Sequence, residues 1–371
     1  MDQLGQQGRP VDDVIADLTA KRSGDVRWAD GKTFGMVYDG GPSVHEVAEQ
    51  AARLYLHENA LNTQAFPSLA AIQREVVGWT ASLLHGDEQV AGFLTSGGTE
   101  SILCAVLAAR ERALAERGVT APEVVLCESA HAAFHKAAHN FGLVVRKAPV
   151  RADFTADVDA CMGGFVLPFA EMLGRQVEPW DFRVDGVTTI SADIHKLGYA
   201  PKGVSVILHR TKESRKYQTF VFGDWLGGFY ASPNMQGTRS GLPMACAWAV
   251  MQHLGIDGYV ALTRQTLLNA DTLRAGIATI DGVGVLGDGR FHLVAMAAEP
   301  DSGLDMFALG DALLERGWYH DRQQPPDNLH STVSNTNTGA IEGYLDDLAT
   351  CVAEVRGTTT DDRSTTYATI D

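Results

Sequence analysis

Basic residues, paired cysteines and long apolar runs are all scarce in this sequence of 371 residues. Lys and Arg number 30 against 46 Asp and Glu, and the net charge of −16 argues against nucleic-acid partners, which are bound through an excess of basic residues. The five cysteines include no CxxC pair, so we expect neither a disulfide framework nor a zinc site. No run approaches the roughly 18 apolar residues of a membrane span, and the first residues contain no apolar signal core. We therefore expect a cytoplasmic protein without a transmembrane segment.

The composition and a change of pattern along the chain predict an α/β protein with two domains. Hydrophobic residues make up 45% of the sequence, which is enough for a full core at this length. Apolar residues recur at helical spacing in 44–60 and 69–84, and strand-like and helix-like runs alternate after residue 90. This alternation predicts a mainly parallel sheet covered by helices on both faces. The predicted segments are an N-terminal helical segment 1–90, a large domain 91–257, a small C-terminal α/β domain 258–356 and a disordered tail 357–371.

The strongest chemical signal is the peptide Ser191–Gly203, SADIHKLGYAPKG. It places Lys196 directly after His195, just past a strand-like run. A lysine at the end of a buried strand is costly to desolvate unless its charge is removed or paired. Forming a Schiff base with an aldehyde removes that charge, which is how pyridoxal 5'-phosphate (PLP) is held to enzymes. The alternative is a surface turn with solvated lysines, and the peptide alone leaves both readings open.

A second motif, Ser96-Gly97-Gly98-Thr99, lies between a predicted strand and a predicted helix. The first N–H groups of a helix are unpaired and the helix dipole is positive there, so a phosphate can bind without a basic side chain. Glycines let the backbone approach the anion closely. Taken alone, the motif fits equally a plain turn with Ser or Thr as the helix cap.

Two further segments carry polar groups of less specific meaning. His131 opens a predicted helix after a strand and could stack its ring on a pyridine ring, or simply lie in solvent. His135 and His139 follow at helical spacing, but no HExxH-like glutamate accompanies them, so we do not expect a metal site. The loop 227–241 offers hydroxyl and guanidinium donors suited to a phosphate, and could equally be an interdomain linker.

Together these segments resemble one family, the sphingosine phosphate lyase branch of the PLP-dependent group II decarboxylases. That family has PLP-dependent transferase fold type I and forms obligate homodimers. The resemblance extends from about residue 33 to residue 355. The matching pieces are Phe66–Leu69, Leu94–Ile102, Ser129–Phe134, Val158–Phe165, Ser191–Gly203, Asp224–Arg239 and Arg316–Trp318.

The resemblance implies a role for each candidate residue in a PLP-binding large domain. Lys196 would form the Schiff base with the cofactor, His195 would lie beside it, and Lys202 would face the substrate. The implied cofactor-binding residues are Gly97, Gly98 and Thr99 at the phosphate, Thr238 at the same phosphate from across the dimer interface, His131 stacked on the pyridine ring, and Asp159 at the pyridine nitrogen.

The resemblance also implies a reaction class. The chain would be a lyase or decarboxylase that breaks a bond at Cα of an amino acid or an amino-alcohol phosphate, which is a small-molecule amine. Asn62 stands where the lipid-phosphate lyases of the family carry a histidine, and this leaves amino-acid substrates open. The alternatives are an aminotransferase on the same fold and a catalytically impaired member of the family.

One stretch departs from the family pattern. Two segments that the family keeps apart, one DFTADVDA-like and one VDACMGG-like, are fused here near residues 155–161. About two βα units are missing, roughly 60 residues if each takes about 30. We interpret this as an internal deletion that exposes the edges of the sheet and puts the placement of Asp159 in question.

Overall fold

A computed structural model describes residues 4–149 and 160–365 of the chain. Asp159, the residue expected at the pyridine nitrogen, lies outside the described residues. The helices are α1 (Val11–Lys21), α2 (Pro42–Leu54), α3 (Pro67–Leu83), α4 (Gly98–Arg117), α5 (Ala132–Phe141), α6 (Ala160–Gly163), α7 (Leu167–Met172), α8 (Lys212–Arg215), α9 (Gly241–Ile277), α10 (Met306–Glu315) and α11 (Ile341–Val355). The strands are β1 (Ala91–Thr95), β2 (Glu123–Cys127), β3 (Val144–Ala148), β4 (Thr189–Ala192), β5 (Ser205–His209), β6 (Phe220–Phe222), β7 (Tyr230–Ser232), β8 (Val283–Val285), β9 (Leu293–Ala298), β10 (Asp321–Gln323) and β11 (Asn328–Thr332).

The main sheet of the large domain has the order β1-β5-β4. β5 runs antiparallel to both neighbours, so β1 and β4 point in the same direction on either side of it. All five residues of β5 are buried, as expected of a central strand covered on both faces. The surrounding core takes Leu69 and Val76 from α3 and Met244 and Val250 from α9. This packing fixes the ends of β1 and β4, where the candidate site lies.

A second, separate sheet pairs β2 with β3 in parallel. Within 4–149 and 160–365, no ladder of hydrogen bonds joins this pair to the main sheet. Apolar side chains on the pair are open to solvent, with Val125 71% and Val144 49% exposed. Such strands are normally buried on both faces in an α/β sheet. The internal deletion inferred from the sequence stays a prediction, because residues 150–159 lie outside the described ranges.

The small domain is built on the antiparallel sheet β10-β11-β9-β8, packed against α10, α11 and the second half of α9. Gly255, with φ 53° and ψ −171°, breaks α9 close to the predicted boundary at residues 257 and 258. The first residues of the predicted tail contact this domain: Arg363 forms ion pairs with Asp305 and Asp327. No helix within the described ranges has the length and apolar content needed to cross a bilayer.

Candidate active site

Lys196 and Asp193 form a buried ion pair just after β4. Asp193 follows the last residue of the strand, and the backbone then turns so that the Lys196 N–H donates to the Asp193 carbonyl at 3.3 Å. Lys196 Nζ lies 2.9 Å from Asp193 Oδ2, and the two side chains are 21% and 2% exposed. The Ser205 hydroxyl donates to Asp193 Oδ1 at 2.5 Å. Lys196, which is partly buried, is therefore paired with a buried carboxylate.

The N-terminus of α4 lies against this ion pair. Gly97 is the N-cap residue and no side chain caps the helix. A Cβ on Gly98 would lie 2.9 Å from both Asp193 carboxylate oxygens, and one on Gly97 would lie 3.3 Å from His195 Cε1. Only residues without side chains allow this approach. Because the first-turn N–H groups have no side-chain cap and the helix dipole is positive here, the turn fits the phosphate of the implied cofactor.

His195 is a neutral hydrogen-bonding residue rather than a charged one. Its Nδ1 accepts the N–H of Val204 at 3.2 Å, which leaves the ring hydrogen on Nε2. Nε2 lies 3.9 Å from Asp193 Oδ2. Burial lowers the pKa of His195 to about 4, with Lys202 and Lys196 adding to the effect and Asp193 opposing it. At neutral pH the imidazole is thus available as a donor through Nε2.

Lys202 reaches the same cluster from the following loop. Its Nζ donates to the His195 carbonyl at 3.0 Å and lies 4.7 Å from the centre of the Tyr38 ring. Lys202 is exposed overall, and desolvation of the ammonium together with the charge of Lys196 lowers its pKa to about 8. Lys202 and Lys196 thus place two ammonium groups in the same cluster. Their positive charge is suited to binding an anionic group of a substrate.

The remaining predicted site residues lie on neighbouring elements. His131 caps α5, where its Nδ1 accepts the Ala133 N–H at 3.1 Å. Thr99 lies in the first turn of α4 and is exposed. Thr238 is also exposed, on the loop before α9. The same loop contacts α4 through a hydrogen bond in which the Met235 N–H donates to Glu100 Oε1 at 2.9 Å. The contacts among the described residues bring together five of the predicted site residues: Gly97, Gly98, His195, Lys196 and Lys202. The cofactor contacts expected of the other three, His131, Thr99 and Thr238, stay predictions.

Sequence reasoning missed Asp193 and Cys161. Asp193 stands three residues before Lys196, and the demand for a partner at a buried lysine was the signal that could have found it. Cys161 Sγ lies 3.2 Å from Ser191 Oγ and 3.1 Å from the Cβ position of Gly98. The start of α6, directly after the undescribed residues, is therefore part of the site. Among the described residues, no group of three or more His, Cys, Asp or Glu side chains is arranged to hold a metal.

Comparison with solved structures defines the class of protein. The fold matches the glutamate decarboxylase of Lactobacillus brevis with a TM-score of 0.81 at 19% identity, over 97% of this chain and 96% of that one. It matches the sphingosine-1-phosphate lyase of Burkholderia pseudomallei with a TM-score of 0.89 at 34% identity, over 96% and 93% of the two chains. The protein thus has the fold type I architecture of the PLP-dependent group II decarboxylases.

Sequence comparison identifies the family within that class. The chain is 36% identical to sphingosine-1-phosphate lyase 1 of Rattus norvegicus over 401 residues, which cover 95% of this chain and 70% of the relative. The chain belongs to the sphingosine-1-phosphate lyase family and is a PLP-dependent lyase. No family model matches the chain.

The same alignment contains positions of the rat enzyme without a counterpart in this chain. It spans 401 positions, whereas 95% of 371 residues is about 352 residues. The gapped positions in this chain therefore total about 50.

Proposed function

We propose that this chain is a carbon–carbon lyase that cleaves an amino-alcohol phosphate, with PLP joined covalently to Lys196 Nζ. One observation carries the proposal: Asp193 brings the Lys196 amine next to the uncapped N-terminus of α4. A molecule that carries both an aldehyde and a phosphate fits this arrangement of an amine and an anion site. The family relationship supports the same chemistry, since the relatives named above are sphingosine-1-phosphate lyases.

The residues at the N-terminus of α4 would bind the cofactor phosphate. The backbone N–H groups of Gly97, Gly98 and Thr99 would donate to its oxygens, and the helix dipole adds to the attraction. The Thr238 hydroxyl of a second copy would complete the phosphate site. His195, neutral with its hydrogen on Nε2, supplies a further donor close to Gly97.

Other residues would orient the ring and manage protons. When bound, PLP supplies an electron sink for the pair released as a bond at the substrate Cα breaks. His131 would stack on the pyridine ring. Asp159 would pair with the ring nitrogen and keep it protonated, as a nearby carboxylate favours the charged form. Lys196 Nζ, released when the substrate amine takes its place, would accept the proton of the substrate's 3-hydroxyl as the Cα–Cβ bond breaks.

Lys202 would distinguish phosphate substrates from neutral ones. Its ammonium donates to the His195 carbonyl and lies over the Tyr38 ring. A fixed cation at this place favours a substrate with an anionic phosphate. Asn62 instead accepts the N–H groups of Gln64 and Ala65 at 2.9 and 3.4 Å, which stabilises its own turn.

The exposed hairpin β6–β7 supports a homodimer as the working form. Trp225, Leu226 and Phe229 in its connecting loop are all exposed and apolar, and contiguous apolar surface of this kind marks an interface. Thr238 follows on the same loop-rich segment, so a second copy docked here would bring that hydroxyl toward the partner's phosphate site. We also propose a cytoplasmic location, on the composition alone.

The split sheet favours a second candidate function, a member of the family that binds PLP or dimerises with little catalysis. One experiment separates the candidates. The purified chain is mixed with PLP and its visible absorption recorded, and it is then incubated with a 2-amino-3-hydroxy phosphate while aldehyde release is followed. A band that is lost in Lys196→Ala but kept in the surface variant Lys136→Ala, together with aldehyde release, supports the lyase.

The other outcomes each contradict part of the proposal. A band without aldehyde release identifies the impaired member. CO2 release from amino acids identifies a decarboxylase, and accumulation of the ring amine with an amino donor identifies an aminotransferase. No band at all overturns the role of Lys196.

A further inference from the structure

Asp193 is more firmly fixed than any other charged group of the site described here. It is 2% exposed in its side chain and follows directly on β4. The Ser205 hydroxyl donates to Oδ1 at 2.5 Å, and a Cβ on Gly98 would lie 2.9 Å from both carboxylate oxygens. Because Lys196 lies three residues later on the same turn, carboxylate and amine are held together by local geometry as well as by charge.

The other titratable groups around the pair come from several elements. His195 lies 3.9 Å from Asp193 Oδ2, and Lys202 follows in the next loop. Cys161 approaches from α6. His292 of the small domain interacts electrostatically with Lys196 but is itself kept neutral by burial, which lowers its pKa to about 3. Within residues 4–149 and 160–365, Asp193 supplies a carboxylate in contact with Lys196 Nζ, at 2.9 Å.

A carboxylate within hydrogen-bond distance favours the charged form of an amine, and in a buried site it does so strongly. Burial without such a partner has the opposite effect and favours the neutral amine. Only the neutral amine adds to an aldehyde carbon. The protonation of Lys196 therefore decides when it can react.

We propose that Asp193 is a positioning residue that holds the Lys196 amine in its charged form in the cofactor-free chain and so sets the pH at which this amine reacts with an aldehyde. The inference rests on the proposed function only in taking Lys196 as the reactive amine. Neutralising the carboxylate shifts the reactivity of Lys196 to lower pH. A purely structural role would change the stability of the chain without moving this pH.

Residue-resolved reductive methylation of the cofactor-free chain tests the proposal. The neutral amine adds to formaldehyde and loses one water, and hydride from cyanoborohydride then reduces the C=N bond to an N-methyl group. The extent of labelling at Lys196 is measured by peptide mass spectrometry across a pH series. In Asp193→Asn the pH of half-maximal labelling is expected to fall by at least about one unit, so that labelling near neutral pH becomes about tenfold faster.

Three comparisons complete the test. Lys136 on α5 should keep the same dependence of labelling on pH in every variant. Asp193→Glu should restore the higher pH of half-maximal labelling at Lys196. In the wild-type chain, half-maximal labelling of Lys196 should occur at or above the pH found for Lys136, a result that needs no variant to fold. The proposal is overturned if Asp193→Asn folds and leaves the Lys196 profile unchanged, or if wild-type Lys196 titrates below Lys136. The absorption band of the PLP-loaded chain tests the proposed function separately.

Discussion

The Cβ position of Gly98 lies 2.9 Å from both carboxylate oxygens of Asp193. A methyl group cannot occupy that place unless Asp193 or the first turn of α4 moves, and Asp193 is held by Ser205 and Lys196. Gly98→Ala should therefore weaken PLP binding at least about tenfold, since it displaces N–H groups that would bind the phosphate. Titration of the absorption band with PLP measures the effect.

Two other glycines serve as controls for this change. Among the described residues, the Cβ position of Gly97 meets only His195 Cε1, at 3.3 Å, so Gly97→Ala should cost less affinity than Gly98→Ala. Gly78, inside α3, has no atom of the described part of the chain within 4 Å of its Cβ position. Gly78→Ala should leave PLP binding unchanged and raise stability by about 0.5–1 kcal/mol. Equal PLP affinity in the Gly97 and Gly98 variants would contradict the argument.

Lys202 should act on substrate binding more than on cofactor binding. Because its pKa is lowered to about 8, the ammonium is charged below that pH and loses its charge above it. We expect KM for an amino-alcohol phosphate to rise as the pH passes through about 8. Lys202→Met should show a raised KM below that pH and approach the wild-type KM above it, with the PLP band intact. Steady-state kinetics between pH 6.5 and about 9 would check both. An unchanged KM in Lys202→Met would remove this residue from the substrate side.

Local pattern was enough to predict the elements that carry their own periodicity. The helical spacing in 44–60 and 69–84 corresponds to α2 (Pro42–Leu54) and α3 (Pro67–Leu83). The Lys196 and Gly98 motifs lie next to each other in the structure, because Asp193 contacts Lys196 and adjoins the Cβ position of Gly98. Asp193 was missed because an acidic residue after a strand reads as an ordinary turn residue. Its importance comes from Ser205 and Gly98, which only the tertiary fold brings to it.

The separation of β2–β3 from the main sheet shows a second limit. Val125 and Val144 have the β-branched character of buried strand residues, and nothing in their local sequence indicates that they lie exposed on a two-stranded sheet. The deletion near residues 155–161, inferred from the departure from the family, stays a prediction. Residue patterns thus predict which segments form strands, whereas the neighbours of each strand depend on the rest of the chain.

The exposed loop of the β6–β7 hairpin should be needed for self-association. Leu226 is fully exposed, so a charge there costs the monomer little, whereas it would be buried in the proposed dimer. Leu226→Glu should shift the chain from dimer to monomer in analytical ultracentrifugation. Leu314→Glu, on an exposed apolar position of α10, is the matched control and should leave the dimer intact. A wild-type chain that is monomeric at micromolar concentration would contradict the proposed interface.

Three buried histidines of the small domain should make the chain acid-sensitive. Burial lowers the pKa of His292 and of His320 to about 3 and also lowers that of His330. The histidines of the unfolded chain have pKa values near 6.5, so below that pH the unfolded chain binds more protons than the folded chain does. The free energy of unfolding is therefore highest above about pH 6.5 and falls as the pH drops below it. Each histidine contributes up to about 1.4 kcal/mol per pH unit to the slope of the free energy of unfolding against pH. Urea unfolding at several pH values between 7.5 and 5 would measure it, and a free energy of unfolding that does not fall would contradict it.

Replacing His292 by leucine should stabilise the protein. The residue is 3% exposed, and neither ring nitrogen has a hydrogen-bond partner among the described residues. An unpartnered buried polar group costs about 1–3 kcal/mol, and an apolar side chain of similar size avoids that cost. His320→Leu is the matched control, because His320 Nδ1 is 3.1 Å from Ser331 Oγ and its ring stacks on Phe34 at 4.7 Å. We expect His292→Leu to raise the free energy of unfolding at pH 7.5 and to reduce the loss of that free energy in acid. His320→Leu should raise the free energy of unfolding less than His292→Leu does, or lower it. A destabilised His292→Leu would mean that the imidazole has a polar partner, such as a buried water, whose loss costs more than the burial of the ring.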